Sequence, residues 1–128
     1  MPGGNVIHLD TNFVADALTP GTVPEAKLAA WLKAGEAFGM SAVGWGEFLC
    51  GPVNQASVVV ARTWISTVDS LTEADARLAA KLFTATGRRS RTFADCMIAA
   101  CAIRIGATLA TSNYADFLPF VPHGLTLA

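Results

Sequence analysis

The sequence predicts an α/β fold in which a short, mostly parallel sheet of about four or five strands is flanked by helices. Short apolar segments of strand length alternate with longer segments of helical periodicity along the chain, and this alternation is typical of a parallel sheet covered on both faces. Hydrophobic residues make up 52% of the chain and charged residues 15%, which excludes a disordered protein. A length of 128 residues fits one domain with a sizeable core, so residues 1–128 are assigned to a single domain.

A change in side-chain pattern predicts the first strand and the helices after it. Val6-Ile7-His8-Leu9 is an apolar run that suits a buried strand. The next three residues, Asp10-Thr11-Asn12, favour the start of a helix. Helical spacing then predicts helices over Phe13–Leu18 and Glu25–Gly35, with a Pro-Gly break between them.

The middle of the chain repeats the alternation of strand and helix. Phe38–Met40 is the predicted second strand, and Ser41 is suited to cap a helix over Ala42–Cys50. A Gly-Pro pair stops that helix. The following segments predict a helix over Gln55–Thr67 and a short third strand over Val68–Leu71.

Two further helices and two further strands are predicted in the last third of the chain. Thr72-Glu73 opens the first of these helices, and a glycine ends each of them, which is the usual C-terminal stop. In chain order the segments are Ala74–Thr86, Thr92–Ile105, the strand Ala107–Thr111 and an edge strand within Gly124–Leu127.

Composition also bears on location and partners. No apolar run reaches the roughly 18 residues that a membrane span needs, and Met1–Asn5 lacks the basic start of a secretion signal, so we expect a cytoplasmic protein without a membrane partner. Cys50, Cys96 and Cys101 lie in apolar helical segments without zinc or disulfide spacing, which predicts buried thiols. The high apolar fraction implies a surface covered by a partner, so a homodimer is expected.

A basic cluster precedes the helix that contains Asp95. Arg88, Arg89 and Arg91 lie within a Gly-Arg-Arg-Ser-Arg-Thr segment that predicts a loop. The formal net charge of the chain is -1, so nucleic-acid binding would depend on a local patch such as this one. Two interpretations remain open, a solvated connector and a phosphate contact beside the acids.

Three carboxylates have apolar neighbours that packing alone does not explain. Asp95 stands at the start of an almost wholly apolar helix, Asp10 directly follows the first strand, and Glu47 lies among the apolar residues of the Ala42–Cys50 helix. In open α/β sheets ligands bind beyond the carboxyl ends of the strands. Asp116 follows the last core strand and belongs to the same end, so we expect the four acids to converge.

Each acid also has an ordinary structural interpretation. Asp10 could cap the helix that follows it, and Glu47 could be an exposed helix residue. Asp95 could pair with Thr92 in a capping box, and Asp116 could be a loop acid. None of these interpretations explains why four like charges gather at one edge.

A divalent cation would stabilise such a cluster. Carboxylates a few ångströms apart repel each other and raise each other's pKa. Mg²⁺ and Mn²⁺ prefer hard oxygen ligands and commonly bind one or two carboxylates, waters and substrate phosphate. The cluster therefore predicts metal-assisted hydrolysis of a phosphoester. The two histidines, His8 and His123, are not expected to be ligands.

The acids lie within four segments, which are Val6–Asn12, Met40–Gly51, Phe93–Ala100 and Leu109–Phe117. In order and spacing these segments resemble the signature blocks of PIN-domain proteins, above all the VapC toxins of bacterial and archaeal toxin–antitoxin systems. The resemblance covers essentially the whole chain. It implies a PIN-like three-layer sandwich.

The resemblance also implies an activity and partners. The expected protein is a Mg²⁺-dependent endoribonuclease, with Mn²⁺ as a substitute, that acts as the toxin of a type II toxin–antitoxin system. A cognate antitoxin would hold it inactive, and RNA would be the substrate. Family members usually pair as homodimers.

The family's first three acids match Asp10, Glu47 and Asp95, which the resemblance makes metal ligands and catalytic residues. The fourth position varies between the places of Asn113 and Asp116, and we favour Asp116 as the carboxylate and Asn113 as a polar helper. Supporting hydroxyls match two further positions, Thr11 and Thr111. The arginines, Arg88, Arg89 and Arg91, are candidates for contact with RNA or with the antitoxin.

Other classes of protein fit the sequence less well. A phospho-acceptor receiver domain would have an acidic pair after the first strand and a lysine after the last core strand, but Asp10 is followed by Thr11 and the last lysine is Lys81. A catalytically inactive PIN-fold module that binds RNA or protein remains an alternative. The retained acids argue against it.

Overall fold

Five strands form one parallel sheet at the centre of the fold. They are β1 (Ile7–Leu9), β2 (Phe38–Ser41), β3 (Thr67–Asp69), β4 (Thr108–Ala110) and β5 (Thr126–Leu127). Their order across the sheet is β3-β2-β1-β4-β5, and each neighbouring pair is parallel. This computed structural model describes residues 6–128, so the interpretation of Met1–Asn5 lies outside the described residues. The predicted α/β class is confirmed.

Helices connect the strands and cover both faces of the sheet. They are α1 (Thr11–Ala17), α2 (Val23–Lys33), α3 (Ala42–Cys50), α4 (Gln55–Trp64), α5 (Glu73–Ala85), α6 (Phe93–Ile105) and α7 (Tyr114–Phe117), followed by a 3-10 helix over Leu118–His123. In residues 6–128 we find no helix whose length and apolar character would let it cross a membrane.

Two hydrophobic cores, one on each face, hold the layers together. The first joins β1 and β2 to α1 through α4, and its buried members include Leu9, Phe13, Val14, Leu28, Phe38, Met40 and Phe48. The second joins β4 to α5, α6 and the C-terminal segments, and its buried members include Leu82, Ile98, Ala99, Leu109, Phe117 and Phe120. Alternation along a strand sends successive side chains to opposite faces, which is why Leu109 and Ala110 belong to different cores.

Most predicted elements are confirmed with ends shifted by one to two residues, but the helix predicted over Gln55–Thr67 is too long. It ends at Trp64, because the buried Ile65 adopts an extended conformation and its carbonyl accepts a hydrogen bond from the Arg62 side chain. The backbone N–H of Ser66 then donates to the Phe38 carbonyl at 2.9 Å. The third strand consequently begins at Thr67, before the predicted Val68.

The cysteine prediction is confirmed for two residues and wrong for the third. Cys96 and Cys101 are buried in α6. Cys50 is exposed, because it is the last residue of α3 and the apolar end of that helix extends beyond the core.

A buried histidine in β1 contacts an aspartate in β3 across a glycine in the intervening strand β2. His8 in β1 is 1% exposed, and its Nε2 lies 2.8 Å from Oδ2 of Asp69 at the end of β3. The intervening strand β2 places Gly39 beside His8. A Cβ atom at Gly39 would lie 3.0 Å from His8 Cδ2 and 3.2 Å from Thr67 Oγ1. The missing side chain at Gly39 therefore makes room for the His8–Asp69 contact.

We expect Gly39→Ala to lower stability by about 1–3 kcal/mol, the usual range for an overpacked core. The buried His8 ring, which lies 2.8 Å from Asp69, cannot move away freely. Gly46→Ala is the matched control, since a Cβ there meets nothing within 4 Å and alanine favours the helix. Thermal unfolding of both variants measures the difference. An unchanged melting temperature in Gly39→Ala would show that β2 tolerates a side chain at this point.

The helix that contains Asp95 is tied to α5 by a buried acid. Asp75 is 1% exposed and shares a capping box with Thr72 at the start of α5. Its Oδ1 also accepts a hydrogen bond from Nε of Arg104, near the end of α6, at 2.6 Å. Gly106 ends α6 with φ at 77°, a left-handed conformation that glycine adopts without strain. These contacts set the position of α6 against the sheet.

Candidate functional site

Four carboxylates gather at the carboxyl ends of β1, β2 and β4. Asp10 directly follows β1, Glu47 lies on the helix that directly follows β2, and Asp116 lies in α7 after β4. Asp95 is in the first turn of α6. Asp10, Glu47 and Asp116 each raise the pKa of Asp95 through their negative charges. The central place of β1 between β2 and β4 brings these distant parts of the sequence together.

Asp10 is the buried member of the group, at 3% exposure. Its Oδ2 accepts a hydrogen bond from Oγ1 of Thr111 at 2.9 Å, and that hydroxyl in turn accepts from the backbone N–H of Asn113 at 2.9 Å. Burial raises the pKa of Asp10 to about 6, against the lowering effect of the Thr111 hydroxyl and the Thr11 backbone. Asp10 occupies the cap position of α1 without a side-chain cap bond, so capping does not explain it.

Asp95 is half-buried at the start of α6. Loss of solvent raises its pKa to about 7, and the charges of the other three acids add to the effect. The capping-box interpretation is wrong, because Thr92 makes no side-chain cap bond to α6. The Thr92 hydroxyl instead donates to the Arg89 carbonyl at 2.6 Å. The carboxylate of Asp95 thus remains free of a structural partner on its own helix.

Glu47 is exposed on α3, so the apolar surroundings inferred from its sequence neighbours do not form around its side chain. Its Oε1 lies 3.1 Å from Oγ1 of Thr11, and the same hydroxyl lies 3.1 Å from the Gly44 carbonyl. One hydroxyl proton serves one acceptor at a time. Ser41 fixes the start of α3 by accepting from the Gly44 N–H at 3.0 Å. By donating to Glu47, Thr11 holds that side chain near Asp10, the residue that precedes Thr11 in the sequence.

The two candidates for the fourth position differ in how they interact with the other site residues. The charge of Asp116 raises the pKa of both Asp10 and Asp95, so its carboxylate belongs to the cluster. Asn113 contributes its backbone N–H to the Thr111 hydroxyl. Asn113 therefore supports Thr111, whereas Asp116 adds a negative charge to the acid cluster.

Acids of the cluster line two cavities. The larger, about 320 Å³, lies between α1, α3 and α4 beside Thr11 and Glu47, and its other lining residues include Asn12, Leu18, Phe48, Val53, Asn54 and Ser57. The smaller is about 10 Å³ and is lined in part by Arg89, Thr92 and Asp116. Sequence reasoning missed the larger cavity, because its walls come from three helices. The helix-capping side chain of Asn54 was the available local signal.

The donor set of the cluster is all oxygen. Among residues 6–128, no three aspartate, glutamate, histidine or cysteine side chains form a ready-made cage for a metal ion. His8 contacts Asp69, which is not one of the four acids of the cluster. Mg²⁺ usually keeps several waters and takes only one or two protein carboxylates, so an open set of acids is compatible with it. A bound cation would favour the charged forms of Asp10 and Asp95.

Comparisons with known proteins agree with the fold. The family model described as the PIN domain matches residues 7–118. No curated protein sequence matches the chain.

Several solved structures share the fold over nearly the whole chain. VapBC2 from Rickettsia felis, bound to a DNA fragment from its promoter, has 18% identity and a TM-score of 0.73, with 96% of this chain and 97% of that chain covered. FitAcB from Neisseria gonorrhoeae has 23% identity and a TM-score of 0.69, with 96% and 97% covered. VapC20 from Mycobacterium tuberculosis, a toxin that cleaves the sarcin-ricin loop, has 18% identity and a TM-score of 0.66, with 95% and 98% covered.

Proposed function

Because the chain belongs to the PIN domain family, we propose that it is a Mg²⁺-dependent endoribonuclease in which Mn²⁺ can replace Mg²⁺. The observation that carries this proposal is the cluster of Asp10, Glu47, Asp95 and Asp116, in which two pKa values are raised to about 6 and about 7. No histidine or cysteine competes for a cation at this point. Hydrolysis of an RNA phosphodiester bond is the reaction best suited to such a site.

The residues fit a divalent cation. Asp10 and Asp95 would be its direct ligands, with Glu47 as a third ligand or as the group that orients water, and Asp116 as a further acid beside it. When bound, the ion would lower the pKa of a coordinated water and stabilise the charge on the phosphate oxygens.

The chain's own residues then have separable tasks. Thr111 donates to one oxygen of Asp10 at 2.9 Å and so fixes the orientation of that carboxylate. Thr11 lies 3.1 Å from Glu47 and orients an otherwise exposed carboxylate. Glu47 would accept a proton from the attacking water, since its carboxylate is exposed to solvent. These contacts preorganise the acids before RNA binds.

We also propose a biological setting, that of a cytoplasmic toxin of a type II toxin–antitoxin system, with a cognate antitoxin and a homodimeric assembly. Similar folds occur in VapBC2 and in VapBC-1 from nontypeable Haemophilus influenzae. A segment of the antitoxin would occupy the larger cavity beside Glu47, where it would block access to the acids. Exposed valines on α4, Val59 and Val60 at 54% and 44% exposure, are available for a protein partner.

Metal binding should raise thermal stability. At a metal concentration about 100 times the dissociation constant, a ligand that binds only the folded state adds about 2.7 kcal/mol. We expect Mg²⁺ or Mn²⁺ to raise the melting temperature of the parent by several degrees and to raise that of Asp10→Ala by much less. Glu36→Gln, which removes an exposed acid outside the cluster, should retain the full shift. Equal shifts in all three proteins would place the metal elsewhere.

The nuclease activity is tested by incubating the purified protein with mixed RNAs in Mg²⁺ or Mn²⁺. We expect endonucleolytic fragments that chelation with EDTA abolishes. A catalytically inactive PIN module would bind RNA or protein without producing fragments, so intact RNA throughout a range of substrates would favour that alternative.

A further inference from the structure

The loop between α5 and α6 has an unusual backbone for its sequence. Arg88 and Arg91 adopt φ values of 55° and 69°, and in residues 6–128 they are the non-glycine residues with positive φ. Side chains with a Cβ atom rarely adopt this left-handed conformation. Glycine would fit both positions without strain, as Gly87 does beside them with φ at 94°. Two long, charged side chains thus stand where the backbone favours glycine.

This loop is tied to the start of α6, close to the acid cluster. The Arg89 carbonyl accepts hydrogen bonds from the Thr92 hydroxyl at 2.6 Å and from the Thr92 N–H at 3.3 Å. Arg89 and Thr92 line the same small cavity as Asp116. Asp95 follows three residues after Thr92. Arg89 therefore borders the cluster beside Asp116, near the start of α6.

The three arginines, Arg88, Arg89 and Arg91, carry charges that the described protein does not use. In the part of the chain that the structure describes, the ion pairs of arginine involve Arg77 and Arg104 and none of these three. All three are exposed. Arg89 lines the same small cavity as Asp116, and the four carboxylates of the cluster repel the phosphates of an approaching RNA strand. A local source of positive charge offsets that repulsion, which the net charge of -1 does not.

We propose that Arg88, Arg89 and Arg91 bind the backbone phosphates of the RNA strand that flank the cleaved bond, on the α6 side of the acids. This inference rests on the proposed ribonuclease function. The three side chains are exposed to solvent, and each guanidinium can donate two hydrogen bonds to one phosphate. Because the contacts are to phosphate, they position the strand and do not read its sequence.

Salt dependence of RNA binding tests this subsite directly. The probe is a fluorescein-labelled single-stranded RNA of mixed sequence, measured by anisotropy in Mg²⁺ in a shared Asp95→Asn background that limits cleavage. A single strand gives a slope of log K against log salt of about -0.7 for each phosphate contacted. Changing all three arginines to glutamine should make the slope shallower by about 2 and weaken binding at least about tenfold.

Two triple variants serve as controls. Lys33→Gln, Arg77→Gln and Lys81→Gln together remove the same net charge from α2 and α5, and they should leave most of the slope in place. Replacing the three loop arginines with lysine keeps the charge and should retain the slope with weaker binding, because lysine lacks the two-pronged contact. If RNA affinity and the salt-dependence slope fall equally in the loop variant and in the α2–α5 variant, the effect comes from net charge and the subsite is refuted.

The glycine variant tests the role of the backbone strain. Arg88→Gly with Arg91→Gly should melt at the same temperature as the parent or higher, while binding RNA less tightly. Loss of folding in this variant would contradict the strained conformation. Retained RNA affinity and slope would refute the subsite.

Failure of the phosphate subsite can be distinguished from failure of the proposed nuclease function. RNA cleavage by the parent in Mg²⁺, with unchanged salt dependence in the loop variants, would refute the subsite alone. A reduced slope in the loop variants, with no cleavage of any RNA by the parent, would support the subsite and refute the nuclease.

Discussion

Asp95→Asn is expected to lower the rate of RNA cleavage by at least about 100-fold. Loss of a residue that only supports a metal ligand costs about 10- to 100-fold in affinity or activity, and Asp95 is proposed to be a ligand itself. The substitution keeps the size of the side chain and removes its charge. Because burial and three neighbouring acids already raise the pKa of Asp95 to about 7, a neutral side chain relieves repulsion, and the melting temperature should stay level or rise.

The combination of lost activity and retained stability distinguishes a functional acid from a structural one. Single-turnover cleavage of RNA and thermal unfolding are measured on the same preparation. Glu36→Gln is the matched control for charge, and it should cleave RNA like the parent. A variant of Asp95 that cleaves at the parental rate would remove this residue from the site.

Arg104→Met is expected to have the largest effect on stability, about 2–3 kcal/mol. Removing one partner of a buried ion pair costs about 3–5 kcal/mol, because the other charge stays buried, and the partial exposure of Arg104, 36% of its side chain, lowers that figure. Methionine retains the length of the aliphatic chain. For a domain of this size the melting temperature should fall by about 10 °C.

Arg77→Met is the control for this prediction. Arg77 forms an ion pair with Glu73 on the outer face of α5, where the two side chains are 75% and 79% exposed. Exposed pairs of this kind contribute little, so the melting temperature should remain near that of the parent. Equal losses in the two variants would contradict the importance given to burial of Asp75.

The pH dependence of the Arg104→Met effect has a definite sign. Burial alone would raise the pKa of Asp75, but the Arg104 guanidinium and the Thr72 backbone hold it below its ordinary value of 3.8. A carboxyl whose pKa is lower in the folded state than in the unfolded state stabilises the fold at pH values above its unfolded-state pKa. This stabilisation is lost as the pH falls through its folded-state pKa. The difference between parent and variant should therefore be greatest at neutral pH and shrink as the pH falls from the raised pKa of Asp75 in the variant to its lowered pKa in the parent.

The sheet and its helices could be predicted because hydrophobic periodicity and capping residues are local signals. Ser41 before α3 and Gly106 after α6 marked helix ends correctly. The end of α4 at Trp64 could not be predicted in this way, since it depends on pairing of the Ser66 backbone with Phe38 across the sheet. The short α7 and the 3-10 helix were also missed, because Pro119 and Pro122 disguise a helical segment.

The acids were found from sequence because charges are rare beside apolar segments, whereas their supports depend on tertiary contacts. Thr11 and Thr111 were named from the family resemblance, but their partners, Glu47 and Asp10, appear only in the folded chain. The Gly39 gap that admits the His8–Asp69 contact has no sequence signature of its own. A choice between Asn113 and Asp116 likewise required the position of each group relative to Asp10 and Asp95.

The dependence of RNA cleavage on Mn²⁺ concentration, in the parent and in Asp10→Ala, tests most directly whether the acid cluster holds the cation that supports cleavage. We predict no cleavage in EDTA, a rate in the parent that rises to saturation with Mn²⁺, and a variant that needs more Mn²⁺ and reaches a lower rate. Cleavage at the full rate in EDTA, or the same Mn²⁺ dependence in both proteins, would contradict the proposed site.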